Sequence, residues 1–238
     1  MKTWRDLFKF GSIAVFGILT SATAGTGQMT IVPGAQADSA GNFDNSIPWS
    51  DEAPVRYQQV LRGSEVGTME VVEIRFRQDE SHGWAFAETL RGVKIVLSST
   101  AAAPDALSMT FSENLGADAT TVFAGNLSMT SLPDSSVPRG FDPRLRTEPW
   151  FSFDASTGLN LLIDVTIESG PELTYFDAEV SEADGVSRVY CWTVEECLTT
   201  DEAMIADTVG LITMVLGPVI LEDDFETGET SRWSVAVR

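Results

Sequence analysis

Histidine is the base or ligand that a Ser-His-Asp hydrolase or a zinc protease depends on, and this sequence has one, His82. It stands in Gln78-Asp79-Glu80-Ser81-His82-Gly83, which reads as a turn between strands, where a lone histidine belongs to the surface. No H-E-x-x-H, G-x-S-x-G or phosphate-binding glycine loop occurs. Carboxylates are the opposite case. With 35 Asp and Glu in the chain, a pair about 5–10 Å apart, as glycoside hydrolysis needs, arises by chance alone. Glu70 and Glu73 have the wrong parity to share a strand face, and Glu168 and Glu172 straddle Gly170-Pro171. Both pairs read as solvated charges at strand ends.

Binding chemistry fits the residue types better. Sandwich modules present aromatic platforms to sugars and loop carboxylates to calcium. Trp84, Phe86, Trp150, Phe151 and Trp192 are the candidate aromatics, and strand alternation assigns about half of them to the core. Trp84, Trp150 and Phe151 are the foremost binding candidates. Asp79, Glu80, Asp142 and Asp154 fall at predicted strand ends and are the candidate calcium ligands. Cys191 and Cys197 are close enough in sequence for a local disulfide in an oxidising compartment. Two thiols without nearby histidine do not complete a zinc shell.

The elements that would hold these residues are strands. In Met69–Arg77, Val72, Ile74 and Phe76 alternate with Glu73, Arg75 and Arg77, a half-buried strand with one wet face. Further strands are predicted over Val55–Leu61, Val93–Ser98, Leu107–Phe111, Thr121–Met129, Trp150–Phe153, Leu159–Ile167, Leu173–Val180, Ser187–Trp192 and Val209–Leu216. Helical signals are confined to single turns at Ala101–Leu107, limited by Pro104, and at Asp201–Ala206. A parallel α/β sheet needs long crossover helices, which are not offered. The expectation is an all-β fold, a jelly-roll-like antiparallel β-sandwich in a single domain.

The ends speak to destination. Lys2, Arg5 and Lys9 precede the apolar run Ile13–Leu19 and the A-x-A site Ala22-Thr23-Ala24, the layout of a secretory signal peptide. A retained membrane anchor is the rival, but Ser21–Gln28 supplies none of the apolar length a spanning helix needs. The segmentation expected is a signal peptide over 1–24, a poorly ordered lead-in over 25–53, the β-sandwich over 54–217 and an acidic tail or tag over 218–238. The net charge of −20, more acidic still once residues 1–24 are removed, opposes binding to nucleic acid or anionic lipid. It suits a cationic partner or calcium.

The order of several short stretches resembles a family of exported bacterial proteins, many of which carry PEP-CTERM-type sorting tails. These are Arg56-Tyr57-Gln58-Gln59-Val60, Ile74-Arg75-Phe76-Arg77-Gln78-Asp79, Val96-Leu97-Ser98-Ser99-Thr100, Pro149-Trp150-Phe151-Ser152-Phe153-Asp154 and Gly158 to Val165. The resemblance spans about residues 54 to 217 and implies a jelly-roll-like sandwich at or outside the cell surface, without catalytic residues. The chain departs from it at the end. Instead of the sorting tail, Phe225 to Ser234 is similar to an F-E-S-G-D-T-S-x-W-S ending of other exported proteins, read either as a tag or as a last edge strand. The function expected is structural or binding, toward a polysaccharide or cell-envelope component, with a carbohydrate-active hydrolase as the alternative.

Overall fold

Residues 27–50 and 53–218 are described by a computed structural model; the expected signal peptide and nearly all of the acidic tail lie outside them. Alternating apolar residues resolve there into thirteen strands. The first five are β1 (Met29–Val32), β2 (Phe43–Asn45), β3 (Val55–Leu61), β4 (Met69–Phe76) and β5 (Phe86–Thr100). They are followed by β6 (Thr120–Ser131), β7 (Arg144–Phe153), β8 (Asn160–Ile167) and β9 (Phe176–Val180). The last are β10 (Val186–Trp192), β11 (Ile205–Asp207), β12 (Val209–Leu211) and β13 (Thr213–Leu216). Two helices of one turn, α1 (Gly63–Val66) and α2 (Phe111–Asn114), interrupt them.

All the strand pairs are antiparallel, and the fold is the all-β sandwich expected. One sheet runs β1-β13-β4-β7, the other β11-β10-β3-β8-β5-β6, and a smaller one runs β12-β9-β2. Ile74, Leu145, Phe153 and Val215 of the first sheet meet Tyr57, Ile95, Leu97, Ile163 and Val165 of the second in one continuous core. Because side chains alternate, the second sheet's other face carries a mixture, with polar Arg56, Gln58, Asp164 and Thr166 beside apolar Val96, Val189 and Cys191.

Several expectations need correction. The lead-in is folded where it is described: β1 pairs with β13, β2 pairs with β9, and Trp49 is 1% exposed. Gly41 permits this docking, since a Cβ there would lie 2.0 Å from the Ala178 carbonyl oxygen. The predicted strand Leu107–Phe111 is a loop leading into α2, touching Glu202 through a single bridge at Thr110. Ala101–Leu107 makes no helix, and Asp201–Ala206 ends in β11. In β4 the alternation changes phase at a bulge between Val71 and Glu73. Val71 is therefore core and Val72 only half-buried, and Arg77, expected on the wet face, is 1% exposed. Its Nε donates to Asp177 at 2.6 Å. A buried charge is tolerated only when paired in this way.

Candidate functional site

The outer face of the six-stranded sheet is partly roofed by two loops. The first, residues 101–119, carries α2; the second, residues 193–204, is tied to β10 by the Cys191–Cys197 disulfide. Phe111, Val189, Cys191, Cys197 and Ala203 form a small core of their own beneath them. The loops are fastened to each other as well. Phe111 N–H donates to the Asp201 carbonyl at 2.8 Å, and Ala203 N–H donates to the Met109 carbonyl at 2.7 Å.

Between this roof and the bare part of the sheet lies a groove of about 370 Å³. Its floor comes from the outward positions of three neighbouring strands. Arg56, Thr166 and Lys94 stand in one row across β3, β8 and β5, and Gln58, Asp164 and Val96 stand in the next. Glu168 follows Thr166 on the same face by the two-residue period. Gly92 leaves room for it: φ there is +59°, and a Cβ would lie 2.2 Å from the Glu168 carboxyl. Leu115 and Leu198 are the walls.

A polar network fixes the floor. Asp164 Oδ2 accepts from Gln58 Nε2 at 2.8 Å and from Arg56 Nη2 at 3.3 Å. Gln58 Nε2 also donates to the Phe111 carbonyl at 3.0 Å, and its Oε1 accepts from Asn114 at 2.9 Å. The Arg56 guanidinium lies 4.3 Å over the Phe111 ring and donates from Nη1 to the Thr200 carbonyl at 3.1 Å. Arg56 therefore clasps both loops, and each polar member of the network has a partner, as buried polar groups require. Lys94 and Glu168 are exposed. The groove thus offers donors and acceptors of both signs beside apolar walls.

The residues singled out from sequence are dispersed. Asp79 and Asp142 lie at the end of the first sheet where β4 finishes and β7 begins, because Arg75 pairs with Arg144. Asp154 lies at the opposite end, roughly 25 Å away along β4, where it accepts from Ser156 N–H and from Thr68. Hydrogen bonding to Ser156 and Thr68 holds its pKa below the usual carboxylate value. Asp142 is engaged by Leu132 N–H at 2.6 Å, and Glu80 is exposed in the turn. The four carboxylates do not form one calcium shell. Phe151 is 3% exposed and belongs to the core, not to an exposed aromatic platform. Trp150 is exposed where β7 bulges opposite β4, and Trp84 is 41% exposed, packed edge-on against Tyr175. Strand spacing keeps these two tryptophans apart and away from the groove.

Sequence reasoning missed the groove. Its one signal was Leu161-Leu162-Ile163-Asp164-Val165-Thr166-Ile167-Glu168, where polar residues recur every second place in an otherwise apolar strand. No family model, curated protein or solved structure matches this chain.

Proposed function

We propose that this chain is an exported, extracytoplasmic binding module that receives a saccharide in the groove on its six-stranded sheet. The observation that carries the reading is the floor of oppositely charged groups in neighbouring rows, Arg56 and Asp164 fixed by the network beside the exposed Lys94 and Glu168. Sugar hydroxyls donate and accept at once, so they suit a surface with both kinds of partner held in place. Val96, Leu115 and Leu198 supply apolar contact for the C–H faces of a ring. Export is supported by the signal-like start and by the disulfide that holds one wall.

Glycoside hydrolysis is less well supported on the same floor. Asp164 and Glu168 are four residues apart on one line, about 13 Å along the strand, wider than the roughly 5–10 Å between catalytic carboxyls. Asp164 already accepts from two donors, an arrangement for a fixed acceptor and not for a proton donor.

The test is a saccharide panel on residues 25–238, followed by calorimetry with the best ligand. Saturable binding is expected, weakened about tenfold by Lys94→Ala and by Glu168→Gln, each loss being one charge-assisted hydrogen bond. Both side chains are exposed, so folding is unaffected. Binding should persist in chelator. Absence of any saccharide binding, or identical affinity in both variants, overturns the proposal.

A further inference from the structure

At the far end of the first sheet, Asp44, Asp79 and His82 converge from two places in the chain. Asp44 is in β2, Asp79 follows β4, and His82 is in the turn toward β5. Their ligand atoms all lie within 4.8 Å of one another. His82 Nδ1 is 2.5 Å from Asp44 Oδ2 and 3.6 Å from Asp79 Oδ1. The group is not a loose acidic patch. Asp79 is 9% exposed, and its Oδ1 accepts the N–H groups of Ser81 and His82 at 2.9 and 2.5 Å. Among the described residues no donor reaches its Oδ2. A carboxylate whose side chain is 12% exposed is thus fixed in orientation beside an imidazole. The His82 ring is itself steadied edge-on against Tyr175, 6.2 Å between centroids.

We infer that Asp44, Asp79 and His82 bind a divalent transition cation of the zinc type. One imidazole nitrogen and two carboxylate oxygens suit such an ion, whereas calcium prefers six or more oxygens. Three protein ligands leave a position for water. The ion would tie the N-terminal β2 to the β4–β5 connection, so its binding would appear as stability. Two negative ligands and a chain of net charge −20 favour the cation's approach.

Zinc titration of metal-free residues 25–238 by calorimetry at pH 7.5, with thermal melting in parallel, tests this. One equivalent should bind and raise the melting temperature. His82→Asn and Asp44→Asn should each weaken zinc at least tenfold and abolish the rise, while melting like the parent without metal. His82 is 67% exposed, so its replacement spares the fold. No zinc binding, equal binding by either variant, or a one-to-one calcium site indifferent to His82→Asn overturns the inference.

Discussion

Asp184 shows how one side chain can set a pH dependence. It follows Ala183, a residue at φ +62°, in the turn before β10. Desolvation raises its pKa to about 6, against the opposing hydrogen bond from Val186 N–H and with help from the nearby Asp105 charge. Its Oδ2 is buried, with no hydrogen-bond partner among the described residues. In the unfolded chain the carboxyl titrates near the ordinary aspartate value of 3.8, so between about pH 4 and pH 6 the folded state holds the extra proton. Stability from this group is full below the unfolded pKa and is lost as pH rises through the folded one. Asp184→Asn keeps an acceptor for Val186 and removes the ionisation. It should stabilise the protein at pH 7 by about 1 kcal/mol after allowance for solvent screening. The gain should vanish below about pH 4. Urea unfolding of both proteins across that range measures it. Nothing in the sequence foretold the site, since Asp184 in Ala183-Asp184-Gly185 looks like any turn aspartate. Arg77 was hidden for the same reason: a charge one step past a strand reads as solvated unless its partner Asp177, a hundred residues on, is known.

Elements were more legible than side chains, and their failures have local causes. Val55–Leu61 and Ser187–Trp192 emerge from the sequence nearly as the structure has them, because apolar alternation and turn residues agree there. Leu107–Phe111 satisfies the same pattern but is claimed by the small core around Phe111, so tertiary packing overrides it. The groove escaped notice because it needs outward residues of three strands and the walls of two loops. One of its walls is fixed by the disulfide. Cys191 and Cys197 are six positions apart, and a loop that short gives a stabilisation of about 2 kcal/mol. The double replacement Cys191→Ala with Cys197→Ala should lower unfolding free energy by that amount. If Leu198 is a wall of a saccharide site, the same variant should bind the ligand several-fold more weakly in calorimetry at a temperature where it remains folded. Glu168→Gln separates the two effects, since it should weaken binding without lowering stability.

For the whole molecule, the described part of the lead-in, residues 27–50, belongs to the body of the fold. It looked unstructured because Gly, Ser, Asn, Asp and Pro dominate it and its apolar residues are isolated. Isolated apolar residues still have a place when another part of the chain has left an edge or a gap. Val32 and Trp49 are at most 1% exposed and Ile47 is 9% exposed, and all three lie in the main core. The Trp49 ring lies 5.6 Å from that of Phe76, and its carbonyl accepts from Leu173 N–H at 2.9 Å. β1 completes the first sheet on β13, and β2 completes the small sheet on β9. Removing residues 25–53 would uncover these partners together. At about 1.5–3 kcal/mol for each large apolar side chain, the three core residues alone account for roughly 4.5–9 kcal/mol. A domain of this kind has about 5–15 kcal/mol in all. Residues 54–218 alone should therefore lose the cooperative melt and the near-ultraviolet circular dichroism that residues 27–218 retain. A cooperative transition within a few degrees of the longer protein's would show instead that the sandwich closes without its first two strands.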